Sequence, residues 1–325
     1  MTRSFRSSAA LVFIGLFVVA GAHAQQYPSK PVRLTTYASP GGGYDRLLRV
    51  IADDLGRAWG QPVIVENRPG AGGIIQAEAC AKAAPDGYTI CQFDRGQVSM
   101  LPHLYKKLPF DTAKDFAPVT NVAYLASVLA VGPGVAVDSM GQLVALAKAK
   151  PGALNYGSIG IGSPPQMVVE WINQHHRMGL VHVPYKSAPA LVQALVADEI
   201  QVAYFGLINL LGLIRDGKVK ALAVSSQQRN PLVPNVPTFA EAGLAGLDGK
   251  NWVGLFVPAG TPKEIVSKIH LDVVRVFAVP EFRERIMLSQ GWEPILDTPE
   301  SFAQLIRSDR DVAGALVRIS GARLD

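Results

Sequence analysis

PVRLTTYASPGGGYDRLLRVIADDLGRAW, residues 31–59, is the stretch that indicates the fold class. Its first seven residues form a mostly apolar run typical of a β-strand, and residues 45–59 have the spacing of an amphipathic helix. One stripe of that helix is apolar and holds Leu48, Ile51, Leu55 and Trp59. Three glycines separate strand from helix, so the stretch predicts a strand, a glycine loop and a helix in succession.

The same alternation continues along the chain. Further strands are predicted at residues 62–66, 89–93, 127–131, 154–156, 181–183, 202–205, 221–225 and 253–256. A second helix is predicted at residues 74–83. Alternating strands and helices indicate an α/β architecture. Helix starts are predicted at Ser163 and at Thr261, each three residues before Gln or Glu, and Thr298-Pro299 predicts the start of the last helix.

Composition excludes several classes of protein. The chain has 325 residues, is 49% hydrophobic and has a mean hydropathy of +0.20, which argues against long disorder and suits two domains. The formal charge is +5 and the pI is near 9.2, which raises the question of nucleic-acid binding. The charge is spread out, and no Lys/Arg-rich run capable of neutralising phosphates occurs. We therefore expect no nucleic-acid partner.

The first 24 residues have the pattern of a cleavable signal peptide. Arg3 and Arg6 precede an apolar run at residues 9–21, and Ala22-His23-Ala24 fits a signal-peptidase site. A transmembrane anchor is the alternative, but a spanning helix needs about 20 apolar residues. We therefore expect export to the periplasm.

Three glycine-rich loops carry the chemical information. The first glycine loop is residues 40–45, the second is residues 67–73 and the third is residues 157–163. Each follows a predicted strand and precedes a predicted helix, a geometry in which backbone N–H groups bind anions. A single loop of this kind is equally a tight turn that requires glycine. Two of them in separate halves of the chain favour a shared anion site.

Nucleotide-binding and catalytic motifs fail on spacing. A GxGxxG motif would require glycine at Ile75 or at Pro165, and no GxxxxGK[ST] sequence exists. Neither Ser158 nor Ser163 lies in GxSxG, and the adjacent His175 and His176 lack metal-ligand spacing. We predict that the protein is not an enzyme and uses no cofactor or metal.

Two cysteines, Cys80 and Cys91, lie in the exported part of the chain. Cys80 falls near the end of a predicted helix, and Cys91 falls in the strand that follows a short turn. A disulfide and a pair of small buried apolar side chains are both compatible with this placement.

A series of motifs resembles those of the extracytoplasmic solute receptors of the tripartite tricarboxylate transporter group, the Bug receptors. They cover the exported chain in order. They are YPSKPVR (27–33), PGGG (40–43) with Asp45, GQPV (60–63), VENRPGAGG (65–73), AAPDGYT (83–89), HLYKKLP (103–109), DFAPV (115–119), LNYGS (154–158), HVPYK (182–186), VPT (236–238), GLF (254–256) and PAGTP (258–262).

The resemblance implies a two-lobed periplasmic-binding-protein fold of the type II kind, with a ligand cleft between the lobes. Residues 25–125 and 248–325 would form the first lobe, and residues 126–247 the second. A monomeric receptor would capture a small carboxylate in the cleft and deliver it to the permease subunits of a tripartite transporter. A ligand-sensing partner of a sensor kinase is the alternative, since the same lobes would serve it.

The ligand-binding residues also follow from the resemblance and from the loops. They are Tyr37, Gly41, Gly42, Gly43, Tyr44, Asp45, Arg95, Gln97, Ser158, Gly160, Gly162, Ser163, Lys186 and Gly206. Where the family often has Asp, this chain has Gly206, which argues against an amino-acid ligand. Arg95 is a candidate to grip a second carboxylate; the alternatives are an ion pair with Asp94 and a solvent-facing charge.

Overall fold

The computed structural model describes residues 27–244, 247, 251–287 and 291–324. The predicted signal peptide, residues 1–24, lies outside them. The strands are β1 (Val32–Thr36), β2 (Val63–Asn67), β3 (Thr89–Asp94), β4 (Phe116–Leu125), β5 (Ser127–Val131), β6 (Asn155–Ser158), β7 (Val181–Pro184), β8 (Val202–Gly206), β9 (Lys220–Val224), β10 (Asn251–Pro258) and β11 (Trp292–Pro294). The helices are α1 (Gly43–Trp59), α2 (Ile74–Ala81), α3 (Leu101–Leu104), α4 (Met140–Ala149), α5 (Pro164–His176), α6 (Ala188–Val196), α7 (Leu207–Arg215), α8 (Lys263–Phe277), α9 (Pro280–Phe282) and α10 (Pro299–Ser320).

The first sheet has six strands in the order β11-β4-β10-β3-β1-β2. Strands β2, β1 and β3 run parallel, whereas β10 pairs antiparallel with both β3 and β4. Helix α1 covers this sheet with the stripe that the sequence predicts, since Leu48, Ile51 and Leu55 are buried. Because β1 and β3 are parallel neighbours, their carboxyl ends lie side by side at the same end of the sheet.

The second sheet has five strands in the order β7-β6-β8-β5-β9. Strands β7, β6 and β8 are parallel, and β5 is antiparallel to β8 and β9. Ala126 alone separates β4 in the first sheet from β5 in the second. Its backbone forms a hydrogen bond with each lobe. Its N–H donates to the Gly291 carbonyl (3.2 Å), and its own carbonyl accepts from the Leu207 N–H (2.9 Å).

The predicted two-lobed α/β fold is confirmed, with one sheet in each lobe. The proposed division at residues 125/126 and 247/248 stays an interpretation, and position 248 lies outside the described residues. The last helix spans the division: α10 packs on β4 of the first sheet and on α5 of the second lobe. Gln174 in α5 donates to the Ile319 carbonyl in α10 at 2.7 Å.

The three predicted helix starts are confirmed to within two residues, but only one of them has the side-chain cap that its spacing suggests. Ser163 precedes α5, but its hydroxyl donates to the Gly160 carbonyl and caps nothing. Thr261 likewise donates to the Pro258 carbonyl, and α8 begins after Pro262 without a side-chain cap. Thr298 does cap α10, accepting a hydrogen bond from the Ser301 N–H (3.2 Å). The hydroxyls of Ser163 and Thr261 are used within the preceding turn, which the spacing alone does not reveal.

Cys80 in α2 and Cys91 in β3 are joined as a disulfide, with their Cα atoms 6.4 Å apart. The bond links α2, the helix that follows the second glycine loop, to strand β3 of the first sheet. Among the helices in the described residues, none is long and apolar enough to cross a membrane.

Candidate functional site

A cavity of about 300 Å³ lies between the two sheets, at the carboxyl ends of their parallel strands. Tyr37 after β1 and Asp94 at the end of β3 reach it from the first sheet. Ile159 after β6 and Gly206 at the end of β8 reach it from the second. This size and position are typical of small-molecule sites in α/β proteins.

The first lobe contributes a polar wall built around a buried carboxylate. Asp94 accepts a hydrogen bond from the Tyr37 hydroxyl on Oδ2 (2.5 Å) and another from the Gln97 N–H on Oδ1 (3.1 Å). The Tyr44 hydroxyl lies close enough to influence the same carboxyl. Asp94, Tyr37 and Tyr44 all line the cavity, and we call these three residues the Asp94 cluster.

Burial is the main influence on how this cluster titrates. It raises the pKa of the Asp94 carboxyl, against the opposing effect of the hydrogen bonds from Tyr37 and Tyr44. Burial, followed by the nearby Asp94 carboxyl, raises the pKa of both tyrosine hydroxyls well above 10. Both phenols therefore keep their protons and stay donors at any ordinary pH.

The first and third glycine loops have the same backbone construction. Gly41 and Gly162 both have a φ of +79°, a left-handed conformation that strongly favours glycine. Gly41 N–H donates to Asp45 Oδ2 (2.8 Å), and Gly162 N–H donates to Gln166 Oε1 (2.6 Å), in both cases four residues on.

The equivalence extends into the helices. The next N–H in each loop, of Gly42 and of Ser163, donates back to a carbonyl three residues earlier. The first intrahelical bond then runs from Arg46 N–H to the Gly42 carbonyl (3.0 Å) in α1 and from Met167 N–H to the Ser163 carbonyl (3.1 Å) in α5. Asp45 and Gln166 thus occupy the same place in the first turn of their helices.

The two loops nevertheless present different chemistry to the cavity. Helix α1 begins with Gly43 and Tyr44, whose N–H groups have no acceptor within the helix, and both residues line the cavity. Helix α5 begins with Pro164 and Pro165, which also line the cavity but carry no N–H. The first loop therefore offers backbone donors, and the third loop offers an apolar surface.

The second lobe supplies its own donors at a different helix. Gly206 precedes α7, and Ile208 and Asn209 in the first turn of α7 line the cavity. The N–H groups of this first turn lack intrahelical acceptors, and that of Leu207 is taken by the Ala126 carbonyl. Apolar side chains complete this side of the cavity, among them Ile159, Val168, Phe205 and Ile208.

Arg95 lines the cavity, but its guanidinium forms an ion pair with a buried carboxylate of the protein. Its Nε and one terminal nitrogen lie 2.9 and 2.8 Å from Asp309 Oδ1, and both side chains are at most 4% exposed. Trp252 Nε1 donates to the other Asp309 oxygen at 2.9 Å. An ion pair was one expected alternative, but its partner is Asp309 of α10 and not the neighbouring Asp94. Asp94 is instead engaged by Tyr37 and Tyr44.

Several other predicted residues lie away from the cavity. Gln97 is buried behind it and donates to the Gly73 carbonyl (3.1 Å) and to Gln76 Oε1 (2.9 Å), so it supports the second glycine loop. Lys186 is exposed and is not part of the lining. Ser158 is fully buried; its hydroxyl contacts His182 Nε2 at 2.7 Å.

The loop glycines divide in the same way. Gly43 and Gly206 line the cavity, whereas Gly41, Gly42, Gly160 and Gly162 are absent from its lining. Asp45 and Ser163 are also absent from it and serve the loop backbone. The loops shape the cavity mainly through the first residues of the helices that follow them.

Sequence reasoning missed several polar residues of the lining, among them Arg46, Asp94, Ser127, Asn209 and Asn251. Arg46 donates to the Gly41 carbonyl (2.6 Å) at the mouth of the cavity. A signal for Asp94 and Asn209 was available, because each follows or ends a parallel strand on the side where the loops lie. Among the described residues, no group of three His, Cys, Asp or Glu side chains is placed to hold a metal ion.

Solved structures with this arrangement are two-lobed periplasmic binding proteins. A structure described as a periplasmic transporter is 35% identical, covers 92% of this chain and all of its own, and has a TM-score of 0.80. Rpa4515 of Rhodopseudomonas palustris, solved with adipate, is 28% identical with the same coverage and TM-score. MatC of that organism, solved with bound malate, is 29% identical, covers 90% of this chain and all of its own, and has a TM-score of 0.76. These similarities define the class as a solute-binding protein.

The family follows from the sequence comparison. The model described as tripartite tricarboxylate transporter family receptor matches residues 47–321, and the chain belongs to this family. One relative from Bordetella pertussis is 32% identical over 308 residues, 94% of each chain. BugT of the same organism is 31% identical over 324 residues, 97% of this chain and 98% of its own. The predicted membership is confirmed, and this family and the similar solved structures are binding and transport receptors.

Proposed function

We propose that the protein captures a small carboxylate in the cavity between its lobes and delivers it to the permease of a tripartite tricarboxylate transporter. The observation that carries the proposal is the convergence of two helix starts on one cavity. The first turns of α1 and α7 both line it, one from each lobe. Helix N-termini attract anions through their N–H groups and their dipoles.

The carboxylate would be held mainly by backbone groups. Tyr44 N–H in α1 and Asn209 N–H in α7 are candidates, and Arg46 is an exposed cation among the lining residues. Adipate and malate in two similar proteins support a carboxylate as the ligand class. Contacts to both lobes would favour the closed form that a permease recognises.

The place of action follows from the same proposal. Residues 1–24 would direct export and be removed, and the remainder would act as a monomer in the periplasm. The test is mass spectrometry of protein recovered from the periplasm, where a mature chain beginning at Gln25 is expected. A full-length chain retained in the cytoplasm would contradict it.

A thermal-shift screen of the mature protein against a panel of carboxylates tests the ligand class. A ligand at a hundred times its Kd stabilises the folded state by about 2.7 kcal/mol, which is readily seen as a higher Tm. Arg46→Gln is the matched variant and should weaken the response to every active acid. If no acid in the panel raises the Tm, the carboxylate proposal is wrong.

Transport is tested in cells of the source organism. Uptake of the acid found in the screen should be lost when the gene is deleted and restored by the intact chain. Unchanged uptake after deletion would argue against delivery to a permease.

A further inference from the structure

We propose that the Asp94 cluster selects a ligand with one carboxylate and, at the other end of the molecule, a hydroxyl or ammonium group that donates a hydrogen bond. The cluster would in this way exclude dicarboxylates. The inference rests on the proposed function, because it concerns the second polar group of a carboxylate ligand. It assigns Asp94, Tyr37 and Tyr44 as specificity-determining residues of the cavity.

The first step concerns the protons of the cluster. Asp94 accepts hydrogen bonds on both of its oxygens, from the Tyr37 hydroxyl on Oδ2 (2.5 Å) and from the Gln97 N–H on Oδ1 (3.1 Å). A carboxylate has about four lone-pair positions, and an ionised carboxylate only accepts. Donors on both oxygens match the ionised form of Asp94.

The second step concerns what the tyrosines show to the cavity. A phenol has one proton, and Tyr37 gives its proton to Asp94 at 2.5 Å. The lone pairs of the Tyr37 oxygen remain for a ligand, whereas the Tyr44 oxygen is also hydrogen-bonded by Asn251. The lining at this point therefore accepts hydrogen bonds, and a ligand carboxylate, which also only accepts, has nothing to donate there.

The third step concerns the balance of charge. Arg95 is the buried cation beside Asp94, but its charge is matched by Asp309 at 2.8 Å. The Asp94 charge is thus not offset by that guanidinium, and a second anion brought beside it would meet like charge in a desolvated site. A neutral or cationic donor meets no such penalty.

The fourth step separates the two ends of the ligand. Tyr44 contributes its backbone N–H to the first turn of α1 and its hydroxyl, at the far end of the ring, to Asp94. The N–H groups of the first turn of α1 and the hydroxyl oxygens beside Asp94 are therefore separated by the length of a tyrosine side chain. The apolar residues Ile159, Pro165 and Phe205 line the space and suit an aliphatic or aromatic body between them.

Two matched series of acids test the inference by isothermal titration calorimetry on the mature protein. One is hexanoate, its ω-hydroxy and ω-amino derivatives, and adipate. The other is benzoate, para-hydroxybenzoate and terephthalate. In the series that fits the cavity, a donor-bearing acid should bind roughly a hundredfold more tightly than the dicarboxylate. A dicarboxylate that binds as tightly as its donor-bearing partner overturns the inference.

Variants show whether Asp94 is the cause. Asp94→Asn is neutral and can donate to the tyrosine oxygens, which would turn their protons toward the ligand, so the preference should shrink by roughly tenfold or more. Asp272→Asn is the control, because Asp272 is buried and paired with Lys268 and Arg275 on α8, outside the cavity lining. An unchanged preference in Asp94→Asn overturns the inference and would mean that Asp94 is already protonated.

If Asp94→Asn fails to fold, Tyr37→Phe and Tyr44→Phe take its place, and the affinity for donor-bearing acids should fall while that for the unsubstituted acid stays. The outcomes also separate the two proposals. Binding of no acid at all contradicts the proposed function and this inference with it. Binding that favours dicarboxylates contradicts this inference alone and leaves the carboxylate receptor in place.

Discussion

The first and third glycine loops have the same backbone conformation but present different chemical groups to the cavity. In each, a glycine at a φ of +79° gives its N–H to the side chain four residues on. The first loop then continues into Gly43-Tyr44 and the third into Pro164-Pro165. The former leaves N–H groups without an acceptor in the helix at the cavity lining, and the latter leaves proline rings there. The comparison teaches that the turn sets the entry angle of the helix, and the first two helical residues set what the ligand meets.

The side chains that accept the loop N–H groups, Asp45 in the first loop and Gln166 in the third, also differ in charge. We call each of them the brace of its loop. Asp45 accepts from Gly41 N–H, Arg49 Nε (3.0 Å) and Asn67 Nδ2 (2.8 Å). Gln166 is seen to accept only from Gly162 N–H (2.6 Å) among the hydrogen bonds of the described residues. Burial opposes ionisation of Asp45, but the bonds from Arg49, Asn67 and Gly41 prevail and lower its pKa to about 2. The charged brace should therefore carry more of the fold's stability.

The largest expected effect comes from removing that charged brace. Asp45→Ala should lower the free energy of unfolding by about 3 kcal/mol, since hydrogen bonds to a buried charge are lost together. Carboxylate affinity should fall too, because the start of α1 loses its support. Urea unfolding with an unchanged m-value is the measurement. Asp45→Asn, which keeps one acceptor, is the control; equal losses in both variants would contradict the role of the charge.

The neutral brace of the third loop gives the next effect. Gln166→Ala should cost about 1 kcal/mol, because one partner of a single neutral hydrogen bond is removed. Carboxylate affinity should change little, since the third loop presents no N–H group from Pro164 or Pro165. Urea unfolding and calorimetry on the same preparation measure both quantities. An affinity loss as large as that of Asp45→Ala would show that the third loop also grips the ligand.

The strands, the positions of the loops and a cleft between the lobes were accessible from sequence, whereas the identity of the polar groups that line the cleft was not. Apolar runs place β1, β5 and β8 within a residue or two, because burial on both faces leaves a continuous signal. Strand β4, which contains Pro118, and the three-residue β11 give no such signal.

The chemistry of the site depends on partners distant in sequence. Arg95 and Asp309 are separated by 214 positions, and nothing local indicates that they pair. The spacing of Ser163 and Gln166 matches a capping box, yet Gln166 bonds the Gly162 N–H, one residue before the position such a box would satisfy. A left-handed glycine moves the N–H groups of the turn, and that movement is invisible in a spacing rule.

The smallest expected effect separates the loops by pH. In the third loop, the Ser158 hydroxyl lies 2.7 Å from His182 Nε2, and burial lowers the pKa of His182 below 6.5 while Glu170 opposes the shift. A group whose pKa is lower in the folded state adds its full stability above pH 6.5 and loses it as the pH falls through the folded value. Because the ring is partly exposed, the loss should stay below about 1 kcal/mol.

His182→Gln should flatten this part of the stability profile, measured by urea unfolding between pH 7 and 5. The histidines His176 and His270, whose pKa values burial also lowers, remain as the common background of both proteins. The first loop responds in another window: the lowered pKa of Asp45 means that its contribution is complete above pH 3.8 and lost only as the pH falls toward 2. If the profiles of the wild type and the variant coincide from pH 7 to 5, the assignment to His182 is contradicted.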